Sequence, residues 1–346
     1  MSVKILKRIF GILFVALAAW VLVGARPIMA APANYRVMMV LWRGCEDACR
    51  GFQDYLRSRN LPVDFLMRDV KQDPSAFPNL VAEARALHVD LVVTWGTTVT
   101  LGMVSTYDKV NPSINLTDIP VLFMIVTVPV DAHVVAGLDR PGRNVSGTLF
   151  LVPEDVQLRA IRSYLPFKKV GVVYNTNEVN AVLSAEKLRA TAKQQGFELI
   201  ERAVPNDADG KPLAESLPGL VAELADAGVD LIYIGSSSFI LLQRDAFTNA
   251  ALQHRIPVAA AGEVAVVESN ALMGLVSKYY DVGRLTATQA EQILVDHKNP
   301  ADIPVESLSR FSLIVNMEVA RKLELYPPMS LLNIVDVVKT KEVPQP

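Results

Sequence analysis

The chain has 346 residues, 51% of them hydrophobic, and a formal charge of −2. That is enough length and apolar content for two domains with separate cores. The slightly acidic balance argues against a nucleic-acid partner, which needs a basic face to neutralise phosphates.

The first 31 residues read as an export signal. Lys4, Lys7 and Arg8 form a positive start, Ile9 to Gly24 an apolar run, and Met29-Ala30-Ala31-Pro32-Ala33 offers small residues for cleavage. Removal after Ala31 leaves 30 basic against 36 acidic residues. The apolar run approaches the ~20 residues of a membrane span, but the alanine-rich junction favours cleavage, and no cysteine stands there to take a lipid. The expectation is a soluble product in a bacterial periplasm.

Tyr35 to Trp42 is an apolar run ended by Arg43-Gly44, as in a strand buried on both faces of a parallel sheet. An amphipathic stretch follows from Glu46 to Arg59. Cys45 and Cys49, the only cysteines, are spaced C-x3-C. In an oxidising compartment an even count suggests a bridge. On one regular helix the pair is poorly aimed for bonding. A bridge requires Cys45 to lie in the turn before the helix, and the alternative is two buried thiols. No histidine stands beside them to make a metal site.

The βα unit then recurs. Strands are predicted at Val63 to Met67, Asp90 to Trp95 and Ile119 to Val126, with helices at Phe77 to Leu87 and Thr98 to Tyr107. After the Pro141-Gly142-Arg143-Asn144 turn and a helix at Pro153 to Leu165, a second series follows. Its strands are Val170 to Tyr174, Glu198 to Ala203, Leu231 to Ile234 and Pro257 to Ala261; its helices are Val179 to Gln195, Leu213 to Ala227 and Phe239 to His254. The tail reads strand (Ala271 to Ser277), helix (Val282 to Asp296), strand (Ser312 to Val315) and two short helices flanking Pro327-Pro328. Such alternation implies α/β architecture, with two doubly wound parallel-sheet domains joined by a three-strand hinge. The expected boundaries are 34–150 with 275–306 for the first domain and 151–274 with 307–340 for the second. A ligand cleft is expected between the carboxyl ends of the two sheets.

Catalytic signals are lacking. His88, His133, His254 and His297 match no metal spacing, and the chain has no G-x-S-x-G, Walker-type or G-x-G-x-x-G motif. The strand ends carry uncharged polar groups instead. Trp95-Gly96-Thr97-Thr98 and Gly235-Ser236-Ser237-Ser238 each follow a strand and open a helix, so they can face a ligand or simply cap helices. Trp42, Trp95 and Tyr279 can wall a ligand or fill core. Asn175 can bind ligand or make its turn. Glu263 can pair with a ligand amine or start a helix. The candidate ligand-binding set is therefore Trp42, Trp95, Thr97, Thr98, Asn175, Ser236, Ser237, Glu263 and Tyr279, with no catalytic residue, metal or cofactor.

Several stretches together resemble a family of ABC-transporter substrate-binding proteins that includes binders of aromatic amino acids. They are Asp90 through Thr98, Ile119 to Phe123 running into Val126-Thr127-Val128-Pro129-Val130, Arg140 through Gly147, Lys169 through Asn175, Ser277 through Gly283, Ala301 through Val305, and the ending with Asn316, Ala320, Leu323 and Pro327-Pro328. The resemblance covers nearly all of the chain after the signal. It implies a type I periplasmic-binding fold, capture by hinge closure, and delivery to an inner-membrane permease with a cytoplasmic ATPase. Three positions depart from the family pattern: Val128 stands where Asp is common, and Ser237-Ser238 where an Asp/Asn pair is common. The expected function is capture of a small polar or aromatic ligand by a monomeric, non-enzymatic component of an importer. The alternative is a ligand-sensing subunit of a membrane signalling system.

Overall fold

The computed structural model describes residues 34–339; the expected export signal and cleavage junction lie outside them. The first sheet is built from β1 (Tyr35–Leu41), β2 (Val63–Asp69), β3 (Leu91–Trp95), β4 (Val121–Val126) and β5 (Val145–Leu149). Helices α1 (Asp47–Ser58), α2 (Phe77–Ala86) and α3 (Thr97–Val104) alternate with its strands. The second sheet takes β6 (Lys169–Tyr174), β7 (Glu198–Ala203), β8 (Leu231–Ile234), β9 (Val258–Ala260) and β10 (Met273–Val276). Around it run α4 (Glu154–Tyr164), α5 (Val179–Gln195), α6 (Leu217–Asp226), α7 (Ser238–Leu242), α8 (Arg244–Gln253) and α9 (Val264–Val267). The chain ends with α10 (Tyr279–Leu294), β11 (Glu306–Ser307), β12 (Ser312–Asn316), α11 (Met317–Leu323) and β13 (Val335–Val338).

The strand orders are β11-β5-β4-β3-β1-β2 and β13-β12-β10-β9-β8-β6-β7. Every pairing in the first sheet is parallel. In the second only β10 and β12 run antiparallel. Parallel strands covered on both faces need continuous apolar sequence, and β1, β3 and β4 supply it: from Val37 to Leu41, Leu91 to Trp95 and Val121 to Val126 all residues are buried. The chain passes between the sheets after β5, after β10 and between β11 and β12.

The second of these passages is anchored by close helix packing. Helix α10 follows a strand of the second sheet but lies against α1, which belongs to the first. A methyl group on Gly283 would stand 1.9 Å from the Ala48 carbonyl oxygen, and one on Gly51 2.0 Å from that of Tyr280. Backbone therefore touches backbone where only glycine fits. Around this contact Tyr55 donates to Glu291 at 2.9 Å, Arg59 pairs with Glu291 at 3.0 Å, and the Tyr280 hydroxyl donates to Asp54 at 3.1 Å. Exposed pairs of this kind add little, so the apolar packing of Phe52, Val282 and Ala287 carries the contact.

Cys45 precedes the first turn of α1, Cys49 lies within it, and the two are joined as a disulfide. The placement of Cys45 before the helix gives the pair a Cα separation of 5.3 Å, inside the range a bridge requires.

Gly283→Ala is expected to lower the unfolding free energy by about 1–3 kcal/mol, because the added methyl meets backbone that must move. Denaturant unfolding measures it; unchanged stability would contradict the close packing.

Candidate functional site

The carboxyl ends of the two sheets face each other. At the end of β3, Gly96 takes φ 85°, a conformation open to glycine but not to ordinary side chains, and starts α3. At the end of β8, Gly235-Ser236 leads to Ser237, whose hydroxyl accepts from the Ile240 amide at 3.1 Å and so caps α7. Between these turns lies a cavity of about 30 Å³. Trp95, Thr97, Ser236, Ser237 and Tyr279 line it, together with Phe150 and Asn180. Phe150 and Tyr279 meet edge to face, with ring centres 5.8 Å apart.

The remaining expected residues stand around this cavity rather than in its wall. Asn175 is one layer behind, accepting from the Ser237 hydroxyl at 2.9 Å and only 1% exposed. Trp42 packs against two apolar core clusters, one in the first lobe and one that runs through both lobes. Thr98 is half-buried on α3 and outside the cavity wall. Glu263 lines a neighbouring cavity of about 220 Å³ that shares Tyr279 with the first, and it accepts from the Tyr279 amide at 2.6 Å.

Thr97 has an internal task. Its hydroxyl accepts from the Thr127 amide at 3.1 Å, and the Thr127 hydroxyl in turn bonds that of Ser236 on the opposite lobe. Thr127 is presented by an unusual backbone: Ile125 and Val128, on either side, have φ 59° and 40°. Left-handed backbone costs of order 1–3 kcal/mol, and both residues are β-branched, which makes them outliers there. The register between β4 and β5 breaks over the same stretch, between Phe123 and Val126. A second contact between lobes, Asp131 to Lys187 at 2.9 Å, lies a few residues further on.

Three charged residues missed by the sequence reading complete the surroundings. Glu178 accepts from the amides of Ser238 and Phe239, at 2.7 and 2.8 Å, and from Asn180 at 3.1 Å. Burial raises its carboxyl above the usual range, against the pull of these bonds and of Arg43. Arg43 lies in the turn after β1, donates from Nε to Glu46 at 2.6 Å, and reaches the Ser238 carbonyl at 3.4 Å. Its guanidinium lies 4.9 Å from the centre of the Trp95 ring. The signals were present: Arg43 and Glu46 flank Gly44-Cys45 at a strand end, and Glu178 sits among the asparagines of the turn after β6. Burial of the Tyr279 ring raises its phenol well above its ordinary value, so it stays a neutral hydrogen-bonding group. Among the described residues no cluster of His, Cys, Asp or Glu could hold a metal ion, and no helix is long and apolar enough to cross a membrane.

A family model described as "ABC transporter substrate binding protein" matches residues 40–339. The chain belongs to that family. The substrate-binding family is one of solute-binding proteins rather than enzymes, in keeping with a cleft of hydroxyls, amides and aromatic rings. A tyrosine-binding protein of Clostridioides difficile is 30% identical over 209 residues, a match that covers 60% of this chain and 58% of that relative. Two solved structures share the fold. A Streptococcus pneumoniae ABC domain in complex with L-Trp has a TM-score of 0.76 at 23% identity, covering 88% of this chain and 100% of the other. A conserved domain protein from Vibrio cholerae has a TM-score of 0.77 at 24% identity, covering 89% and 100%. With two mostly parallel sheets, this substrate-binding protein has the type I periplasmic-binding fold.

Thr97→Val is expected to destabilise the ligand-free protein by about 1–3 kcal/mol, because the buried Thr127 amide loses its acceptor. Thermal or denaturant melting tests this; an unchanged melt would mean that the hydroxyl does not hold the Thr127 segment.

Proposed function

We propose that this protein is the extracytoplasmic solute-binding component of an ABC importer, exported to the periplasm through a cleavable signal and acting there as a monomer. It captures a small aromatic or polar solute between its lobes and delivers it to an inner-membrane permease powered by a cytoplasmic ATPase. Aromatic amino acids are the leading class. The observation that carries this reading is the meeting of two strand-end turns across one cleft, with Thr127 and Ser236 in direct contact and Trp95, Phe150 and Tyr279 as apolar walls.

Small-molecule sites usually enclose roughly 300–1,000 Å³, far more than the cavity of about 30 Å³ between the turns. Binding therefore requires the lobes to part and then close over the solute, with the three chain passages as the hinge. Charge favours a ligand with an ammonium group. Val128 supplies no acid where the family commonly has Asp, but Glu46 and Glu263 line the neighbouring cavity together with Tyr279. The tyrosine-binding relative and the L-Trp complex support the same class.

Calorimetric titration of the mature protein with L-tyrosine, L-tryptophan and L-phenylalanine is expected to show saturable one-to-one binding by at least one of them. At 100 times its dissociation constant that ligand should add about 2.7 kcal/mol of stability. Absence of heat and of thermal stabilisation with all three would exclude aromatic amino acids as the solute class.

A further inference from the structure

Arg43 is a charged side chain only 8% exposed. A buried guanidinium requires partners for its five N–H bonds, and here they are incompletely provided. Nε donates to Glu46 at 2.6 Å, Nη1 reaches the Ser238 carbonyl at a long 3.4 Å, and the buried Nη2 has no hydrogen-bond partner. The guanidinium carbon also lies over the indole of Trp95, 4.9 Å from the ring centre. What remains is the outer end of the fork. Its position is fixed by two residues that line the cavity, Trp95 and Ser238, one from each lobe.

From this geometry we propose that Arg43 is the anchor for a carboxylate of the bound solute, with Glu46 as the positioning residue that holds the guanidinium by its Nε. This rests on the reading of the cleft as the solute site and narrows it to ligands that carry a carboxylate. The planar fork matches the two oxygens of a carboxylate, and a charge-assisted pair of this kind is strong. The bond from Nη1 to Ser238 crosses between the lobes. It breaks when they part, so opening frees both terminal nitrogens to receive the solute. The cation–π contact with Trp95 keeps the fork from swinging away while the lobes are apart.

The test compares L-tyrosine with tyramine, which is the same molecule without the carboxylate, on the wild type and on the Arg43→Met and Arg43→Lys variants. The mature disulfide-bonded protein is used throughout, and ligand-free melting curves establish that each variant is folded. The wild type should bind tyrosine at least about 10-fold more tightly than tyramine. Arg43→Met should remove that preference by weakening tyrosine alone. Arg43→Lys keeps the charge but not the fork, and should retain only part of the preference. If Arg43→Met does not fold, the wild type and the lysine variant decide the matter by the same ratio. Equal affinity of the wild type for both ligands overturns the proposal while leaving the cleft as the solute site, and so does an unchanged ratio in the folded variants. If neither ligand binds the wild type, the aromatic amino-acid reading fails and this inference fails with it.

Discussion

The site depends on one packing constraint, the glycine-to-backbone contact between α1 and α10. Helix α10 leaves the second sheet at β10 and must return to the first lobe. Gly51 and Gly283 allow the two helices to approach until carbonyl oxygens occupy the places that side chains would fill. The consequence is positional. The turn before α1 carries Arg43 and Glu46, and the first residue of α10 is Tyr279, so docking the two helices brings a charged pair and an aromatic wall to one end of the cleft. Tyr279 then fits over Gly262 of the second lobe, where an added methyl would come within 3.0 Å of its hydroxyl. A chain passage between sheets thus becomes part of the cavity wall.

Electrostatics at this end of the cleft rest on incomplete pairing. Arg43 lies among Glu46, Glu178 and the ring of Trp95, and burial strengthens every charge interaction there. The Glu178 carboxylate does two things: it satisfies the leading amides of α7, and it contributes negative charge facing Arg43. Glu46 Oε2 and Trp95 Nε1 are buried without a hydrogen-bond partner, as is Arg43 Nη2. Unpaired buried polar atoms are costly, and three of them lie in this one neighbourhood.

Much of the fold was legible because the strands of a parallel sheet must be apolar throughout and the helices between them amphipathic. β6 to β8 and α5 follow the expected boundaries to within a residue. β5 was missed for a physical reason: Val-Ser-Gly-Thr-Leu has no apolar run, since its Ser146 and Thr148 hydroxyls are buried and satisfied by Ile303 and by Gln289 and Thr286. The single helix expected from Phe239 to His254 is divided at Gln243. The family-like stretch from Arg140 to Gly147 is structural, for Arg143 donates to the carbonyls of Val104 and Ser105 and Asn144 to that of Ile119. Val128 reads in sequence as a missing acid. The backbone gives another reason for the family's residue, because Asp tolerates the left-handed conformation there better than a β-branched side chain does. Which turn residues line the cavity was not legible, since Thr97 and Thr98, or Asn175 and Asn180, are alike in type and differ only in where the turn aims them.

The central claim is that solute enters only when the turns bearing Thr127 and Ser236 separate. The most direct measurement replaces both by cysteine and compares L-tyrosine binding by the cross-linked and the reduced double variant, with the wild type under the same oxidation and reduction as control. The cross-linked protein is expected to take up no ligand and the reduced form to regain it, while the wild type binds under both conditions. Equal binding by the cross-linked and reduced forms would contradict it.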